Sequence, residues 1–301
     1  MARLKFVVSL MMADNAYQQE QASAAQEAAS PCEVDVQVFF NDDGLTQGQH
    51  LLEMIQSKDR IVDGIVCQPV GTALTQVARE AATRGIGWVL LNRNGDYISE
   101  LRKTYYTPIF GIGVDQEEIG RIQSRQLAHL LPQGGLVLYI AGPTTNPIVK
   151  QRITGMNSTK PDNIQIRMVH GQLTEQSGYQ AVKSWLELIT ARTAPVMAVA
   201  AQNDSMALGA HQALQEALTR EEWARWSSLP FIGCDACGGS VDKRLSASIR
   251  LPVTAGLAVK TLADAIRSKR RPEKWQQLNP VSCPSLQEPH VPMKAYCKSA
   301  F

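Results

Sequence analysis

The sequence has little net charge, no long apolar run and none of the common catalytic motifs. Its 301 residues carry a formal net charge of +2, which gives no reason to expect nucleic acid as a partner. No stretch approaches the roughly 20 apolar residues of a membrane span. The sequence contains no P-loop, no G-x-S-x-G turn and no H-E-x-x-H helix. These absences predict a protein that is not an enzyme, does not bind nucleic acid and does not insert into a membrane.

Patterns for metal binding and redox chemistry are also sparse. The histidines show no H-x₃-H spacing, and the lone C-x-x-C at Cys234 and Cys237 has no second ligand pair to complete a zinc site. In a reducing compartment cysteines need not pair. We therefore expect no metal and no cofactor, and we interpret the cysteines as incidental or structural thiols. They are Cys32, Cys67, Cys234, Cys237, Cys283 and Cys297.

The first 13 residues imitate a short signal peptide, because Arg3 and Lys5 precede an apolar run. That run is short and ends at Asp14 and Asn15 without a convincing cleavage site. Removing it would also delete the first predicted strand. Two locations stay open: the cytoplasm if Met1 is the native start, and the periplasm or cell envelope if an export signal was trimmed.

Short apolar runs alternate with amphipathic stretches along the chain, which is typical of βαβ units and a parallel sheet. The predicted strands are 4–10, 34–40, 61–66, 87–91 and 109–114, followed by 136–140, 164–169, 196–200 and 231–233. The predicted helices are about 17–29, 46–57, 72–84, 147–158 and 175–190. The rhythm restarts after the fifth strand, so we predict two α/β lobes with a cleft between them.

Three finer predictions concern segments between these elements. The stretch between residues 91 and 109 is predicted to be irregular, and residues 219–226 are predicted to form a surface helical extension. Val182, Trp185 and Leu186 recur at helical spacing, so Trp185 is expected in the core rather than at a ligand site.

The most informative segment runs from Ala201 to Gly209. Asn203 and Asp204 lie where an apolar strand ends and a helix begins, and open α/β sheets bind ligands at the carboxyl ends of their strands. This segment closely resembles the second-lobe ligand loop of ribose-binding-type proteins, in the periplasmic binding protein type I superfamily. The lobes of lactose-type repressors share that fold. The resemblance covers most of the chain, from about Phe6 to Ile266.

This resemblance implies two Rossmann-like lobes, each a parallel sheet flanked by helices, joined by a multi-strand hinge. The N-terminal lobe would comprise residues 1–112 and 251–280, and the C-terminal lobe residues 113–250 and 281–301. The implied function is reversible binding of a small polar ligand, a sugar or sugar derivative, with hinge closure. Lactose-type repressors carry a helix-turn-helix ahead of the lobes, whereas this sequence starts directly on the first predicted strand, so we expect no such DNA-binding element.

Three roles for such a binder stay open. The first is ABC-transport uptake or signalling, with an ABC permease as partner. The second is a cytoplasmic ligand sensor that acts through a partner kinase or regulator. The third, which the missing motifs disfavour, is an enzyme acting on a small polar metabolite.

The resemblance places candidate ligand contacts in the first lobe after strands one and four. Asp14, Asn15, Tyr17 and Gln18 follow strand one. There an asparagine can donate to and accept from hydroxyls, and a tyrosine can cover an apolar sugar face. Asn92 and Arg93 follow strand four, where the family usually has Asp-Arg. Arg93 offers a rigid fork of donors.

In the second lobe the resemblance points to Arg152, Asn203, Asp235 and Arg250. Arg152 lies early on the first helix, Asp235 ends a Gly-x-Asp strand, and Arg250 lies near a position where the family often has glutamine. Convergence of Arg93, Arg152 and Arg250 would favour a ligand with an anionic group, such as a sugar acid or a sugar phosphate.

Overall fold

The computed structural model describes residues 3–57, 62–71, 74–93, 95–188, 190–191, 193–236 and 241–286. The strands are β1 (Leu4–Met11), β2 (Val34–Asn41), β3 (Gly64–Cys67), β4 (Gly87–Leu91), β5 (Ile109–Val114), β6 (Gly135–Ala141), β7 (Ile164–His170), β8 (Val196–Ala201), β9 (Phe231–Ile232), β10 (Ser248–Arg250), β11 (Trp275–Leu278) and β12 (Val281–Cys283). The helices are α1 (Ala16–Ala29), α2 (Gly44–Gln56), α3 (Thr75–Thr83), α4 (Tyr97–Thr104), α5 (Gln116–Leu130), α6 (Pro147–Thr159), α7 (Glu175–Leu186), α8 (Asp204–Ala217), α9 (Arg220–Trp226) and α10 (Thr254–Ser268).

The first sheet has six strands in the order β11-β5-β4-β3-β1-β2, and all of its pairings are parallel. Its central strands are buried on both faces, because helices cover each side. Phe6 and Val8 pack against α1 and α10, whereas Val7, between them, packs towards α2, α3 and α4. This period of two sends alternate side chains of one strand into two separate cores.

The second sheet has four parallel strands in the order β7-β6-β8-β9. Leu138 and Ile140 pack under α7 and α8, and Val137 and Tyr139 pack under α5 and α6. A short antiparallel pair, β10 and β12, continues beside β9 through a bridge between Ile232 and Ala247. These two flanked parallel sheets confirm the predicted two-lobed α/β fold.

Two glycines set the distance between α5 and α6. A Cβ atom added to Gly120 would lie 2.0 Å from the carbonyl oxygen of Arg152, and one added to Gly155 would lie 1.9 Å from the carbonyl oxygen of Glu117. Any larger residue would push the helices apart. The close contact brings the first turn of α5 beside the middle of α6, where Arg152 lies.

The chain passes between the two sheets after β5, after β10 and after β11. The last passage follows a return to the first sheet, because β11 pairs with β5 and α10 packs against α1. Within the described residues no helix is long and apolar enough to cross a membrane.

One local prediction needs correction, and a second, the helical extension, is confirmed apart from its last residue. The segment predicted to be irregular contains α4, which forms because Ile98 and Leu101 share one buried face. The extension predicted to lie on the surface is α9, and its last residue, Trp226, is buried edge-on against Trp185. Trp185 is in the core, as predicted. Parts of the predictions lie outside the described residues, namely Ile61, Thr72, Ala73, Ile189, Cys237 and Cys297.

Candidate ligand-binding site

A small cavity of about 100 Å³ lies between the carboxyl ends of the two sheets. It is large enough for several water molecules or one small ligand, because one water needs roughly 10–15 Å³ measured in this way. Its apolar wall includes Met11, Leu173 and Leu251. Most of its polar wall consists of side-chain amides, from Asn15, Gln18, Gln68, Asn92, Gln116, Asn146, Gln202 and Asn203.

Tyr17 enters the cavity from the first turn of α1. Asn15 caps that helix by accepting a hydrogen bond from the backbone N–H of Gln18 at 3.1 Å. The Tyr17 hydroxyl donates to the carbonyl oxygen of Pro252 at 3.1 Å, which links α1 to the chain just after β10. Burial raises the pKa of Tyr17, so the side chain is a neutral phenol at ordinary pH.

Asn92 lies at the end of β4 in the left-handed conformation, with φ of 54°. Asparagine tolerates this conformation better than most residues. Its Nδ2 donates to the Tyr17 hydroxyl and to Oε1 of Gln68, both at 3.3 Å. Its Oδ1 is buried and has no hydrogen-bond partner among the described residues. Asn92 lines the cavity, so this unpaired acceptor lies next to the space that a ligand would fill.

Arg152 supplies the positive charge of the cavity, from the middle of α6. Its Nε donates to Oε1 of Gln116 at 2.9 Å, and its Nη1 donates to the carbonyl oxygen of Gln202 at 2.5 Å. Its Nη2 lies 3.8 Å from a carboxylate oxygen of Asp235. Burial raises the pKa of Asp235, and the guanidinium of Arg152 opposes that rise. The positive charge of Arg152 is thus paired with the carboxyl group of Asp235 within the cavity wall.

Gln202 and Asn203, at the end of β8, are bonded to the backbone around them. Oδ1 of Asn203 accepts from the N–H of Met206 at 2.9 Å and caps α8, while its Nδ2 donates to the carbonyl oxygen of Leu173 at 2.7 Å. The Gln202 amide accepts from the N–H of Gly142 and donates to the carbonyl oxygen of Val149. Both side chains hold the wall in position before any ligand arrives.

The structure brings most of the predicted residues to the cavity and leaves three outside its lining. Those that line it are Asn15, Tyr17, Gln18, Asn92, Arg152, Asn203 and Asp235. Asp14 is exposed in the preceding turn. Arg93 turns outward, and its guanidinium donates to the carbonyl oxygen of Gly71.

Arg250 is also placed wrongly by the sequence-based prediction. Its side chain is exposed, whereas Ile249 is buried and the next residue, Leu251, lines the cavity. Neighbouring residues on a strand point to opposite faces, so a register error of one residue moves a side chain out of the site. The predicted convergence of three arginines is therefore wrong, because Arg152 alone of the three lines the cavity.

Sequence reasoning missed several residues of the lining, among them Gln68, Gln116, Asn146 and Gln202. Gln68 and Gln202 follow directly after β3 and β8, so the rule that ligands bind at the carboxyl ends of strands could have found them. Gln116 and Asn146 depend on the contact between α5 and α6, for which the sequence carries no local signal.

Among the described residues no three histidine, cysteine or acidic side chains are grouped so that they could hold a metal ion. Cys32, Cys67, Cys234 and Cys283 are free thiols. Cys234 is buried, and its thiol donates to Oδ1 of Asp235 at 3.2 Å.

The sequence profile of the family described as "Periplasmic binding protein domain" matches residues 6–240. The chain belongs to this family. The match spans both sheets and most of the residues that line the cavity. It confirms the resemblance to type I periplasmic binding proteins.

A known relative of this binding protein agrees with that assignment. The D-xylose-binding periplasmic protein of Escherichia coli is 31% identical over 175 residues, which cover 56% of this chain and 49% of that protein. The aligned region thus spans about half the length of this relative. A match of this extent supports the family and leaves the ligand of the present chain to be argued from its own cavity.

Solved structures show the same fold over nearly the whole chain. An ABC transporter solute-binding protein from Actinobacillus succinogenes, with bound D-allose, superimposes with a TM-score of 0.79 at 18% identity, over 93% of this chain and 97% of that one. An arabinose ABC transporter component from Shewanella, bound to L-arabinofuranose, gives 0.77 at 20% identity over 92% and 91%. At these identities the similarity establishes a shared fold.

Proposed function

We propose that the protein reversibly binds one neutral, polyhydroxylated molecule, a sugar or a close relative of a sugar, in the cavity between its lobes. The observation that carries this proposal is the amide-rich wall with the unpartnered Oδ1 of Asn92. A buried polar atom without a partner costs about 1–3 kcal/mol. A ligand hydroxyl that donates to this oxygen removes that cost.

The distribution of charge favours a neutral ligand over an acid or a phosphate. Arg152 is the cation of the lining, and its guanidinium already has Gln116, Gln202 and Asp235 as partners. An anionic ligand group would lie close to the Asp235 carboxylate and would compete with it for the same cation. Hydroxyls both donate and accept, as do the amides that surround them.

Binding is coupled to closure of the lobes in this proposal. Tyr17, Gln68 and Asn92 come from elements of the first sheet, whereas Arg152, Asn203 and Asp235 come from the second. A ligand that contacts both walls binds the closed arrangement more tightly and shifts the equilibrium towards it. We propose that the closed form delivers its ligand to an ABC permease and that the ligand is released chemically unchanged.

A thermal-unfolding screen tests this proposal. The neutral set contains D-xylose, D-ribose, L-arabinose, D-allose, D-glucose and myo-inositol; the charged set contains xylonate, gluconate and glucose 6-phosphate. A ligand at 100 times its Kd adds about 2.7 kcal/mol to stability. Each kcal/mol shifts the Tm by about 2–4 °C for a domain of roughly 150–250 residues. We expect a shift with a neutral compound and recovery of that compound unaltered.

Matched variants connect the shift to the cavity. Asn92→Gly should reduce the shift, whereas Arg250→Ala, on the exposed face of β10, should keep it. A shift with charged compounds alone would overturn the preference for neutral ligands. No shift with either set would overturn the proposed function.

A further inference from the structure

The cavity adjoins two further spaces that share part of its lining. A passage of about 60 Å³ begins beside Met11 and Asn146 and ends beside Gly71 and Arg93. A groove of about 880 Å³ lies next to this passage, between the lobes. Asn92 and Ile148 line the cavity, the passage and the groove alike. A ligand in the cavity therefore has an exit for one substituent.

One wall of this groove is the half-buried indole of Trp275, on β11. A Cβ atom added to Gly111 would lie 2.4 Å from the Trp275 ring, and one added to Gly113 would lie 2.8 Å from it. The two glycines thus leave room for the indole to lie against β5. The Cβ atom added to Gly113 would also lie 3.0 Å from Cα of Asn92, so the Trp275 ring lies beside the mouth of the cavity.

Polar groups surround this aromatic surface. Gln277 lies on the same strand as Trp275, and Gln151 lines the groove from α6. Arg93 is half-buried, and among the described residues its guanidinium makes one hydrogen bond, to the carbonyl oxygen of Gly71. A guanidinium has five N–H donors, so Arg93 has donors to offer to a ligand in the groove.

Three of the four acidic residues at the groove, all except Asp96, already have cationic partners among the described residues. Asp115 and Glu117 lie 3.2 and 3.3 Å from the guanidinium of Arg121. Glu100 lies 2.8 Å from Arg79. This pairing lowers the attraction for a cationic ligand. An aromatic face with amides and one guanidinium suits the apolar face and the hydroxyls of a neutral sugar ring.

We propose that the groove is a second sugar subsite, and that the protein accepts a disaccharide or short oligosaccharide whose first ring fills the cavity and whose second ring stacks on Trp275. This inference rests on the proposed function of the cavity. The glycosidic bond would lie in the passage between Asn92 and Ile148. A cavity closed on all sides would instead reject every glycoside.

Calorimetric titration of matched pairs tests the second subsite. The pairs are D-xylose with xylobiose, and D-glucose with maltose and with cellobiose, extended to the disaccharides of any other monosaccharide that stabilises the protein. We expect at least one disaccharide to bind as tightly as its parent or up to about tenfold more tightly, since stacking on an aromatic ring contributes on this scale. Trp275→Ala should weaken disaccharide binding at least tenfold. It should change the affinity for the parent monosaccharide by less than twofold.

Two further variants provide a control and a second test of this subsite. Trp223→Ala removes a tryptophan from α9, which packs on His211 in the second lobe away from the groove, and should change neither affinity by more than twofold. Gln151→Trp adds a ring at an exposed helical position that lines the groove but not the cavity. This variant should weaken binding of the disaccharide but not of the monosaccharide. It tests the subsite even if Trp275→Ala does not fold.

The outcomes separate this inference from the function on which it rests. Monosaccharides that bind while all of their disaccharides bind over 100-fold more weakly would overturn the second subsite and leave the proposed function standing. The second subsite is also overturned if Trp275→Ala or Gln151→Trp weakens both members of a pair equally, or neither. If no monosaccharide and no disaccharide binds, the proposed function fails and the subsite fails with it.

Discussion

The two walls of the cavity differ in how much of their hydrogen bonding is complete without a ligand. In the wall from the second lobe, Arg152 has partners on three sides and Asn203 has both ends of its amide bonded. In the wall from the first lobe, Oδ1 of Asn92 is buried without a partner among the described residues. One wall is a preformed template, and the other is completed by the ligand.

The packing behind each wall explains this difference. Glycines bring α5 and α6 into backbone contact, so Gln116 and Arg152 meet at a fixed distance. Asn92, by contrast, lies in the turn after β4 and is held by two side-chain hydrogen bonds of 3.3 Å. A rigid wall and an adaptable wall give one site both geometric selectivity and an energetic response to binding.

The strongest test of this contrast removes the centre of the rigid wall. Arg152→Ala would remove the guanidinium from beside the buried Asp235 carboxylate, and the donor to the carbonyl oxygen of Gln202. Removing one partner of a buried pair costs about 3–5 kcal/mol, and we expect the free energy of unfolding to fall by this order and ligand binding to be lost. Urea unfolding and calorimetry measure the two effects.

The matched control for this variant is Arg125→Ala, because Arg125 is an exposed arginine of α5 that pairs with Glu118. Its effect should stay within about 0.5 kcal/mol, as for most surface substitutions. A loss of stability that is equal for the two variants would show that the rigid wall is not held by Arg152.

The second test uses pH, because a half-buried carboxyl group, that of Asp204, directly follows Asn203 of the rigid wall. Burial raises the pKa of Asp204 to about 7, although the Ser248 hydroxyl, 2.6 Å away, opposes that rise. The unfolded chain releases this proton near pH 4. The folded protein therefore binds more protons between about pH 4 and 7, and its free energy of unfolding should fall as pH rises through that interval.

Asp204→Asn keeps an acceptor for Ser248 and removes the titration. We expect the decline in stability between pH 4 and 8 to be smaller in the variant, by on the order of 2 kcal/mol, since one pKa unit corresponds to about 1.4 kcal/mol. Urea titrations at several pH values measure it. Parallel curves for the two proteins would contradict the assignment to Asp204.

The third test compares one asparagine from each wall. Asn92→Gly removes the side chain and still fits the positive φ; it should weaken ligand binding at least tenfold, or about 1.4 kcal/mol, with a smaller loss of stability. Asn203→Ala removes the cap of α8 and should lower the free energy of unfolding by about 1 kcal/mol. Calorimetry and urea unfolding on both variants separate affinity from stability. If the two variants changed affinity equally and stability equally, the proposed difference between the two walls would be contradicted.

The smallest effects are expected for the predicted residues that the structure leaves outside the cavity. Asp14→Ala and Arg250→Ala alter exposed side chains, so affinity should change by less than about twofold and stability by less than about 0.5 kcal/mol. If either variant abolished binding, its residue would have to be counted among the ligand contacts.

Some residues shortly after a strand end could be placed near the cavity from the sequence, as Asn15, Asn203 and Asp235 illustrate. Apolar runs mark the strands locally, and parallel strands bring their carboxyl ends to one edge of a sheet. Arg93 and Arg250 show where this logic stops. Both lie near strand ends, yet the side chain of Arg93 turns to Gly71 and that of Arg250 emerges on the exposed face of β10.

The sequence by itself determined the two α/β lobes, the order of their main strands along the chain and the carboxyl edge of each sheet as the place of the candidate site. These properties follow from local patterns of burial with periods of two and 3.6 residues. The tertiary structure alone decided which side chains form the cavity and how far its polar atoms are already paired. Those properties depend on distances between separate elements, such as α5 and α6, which only packing sets.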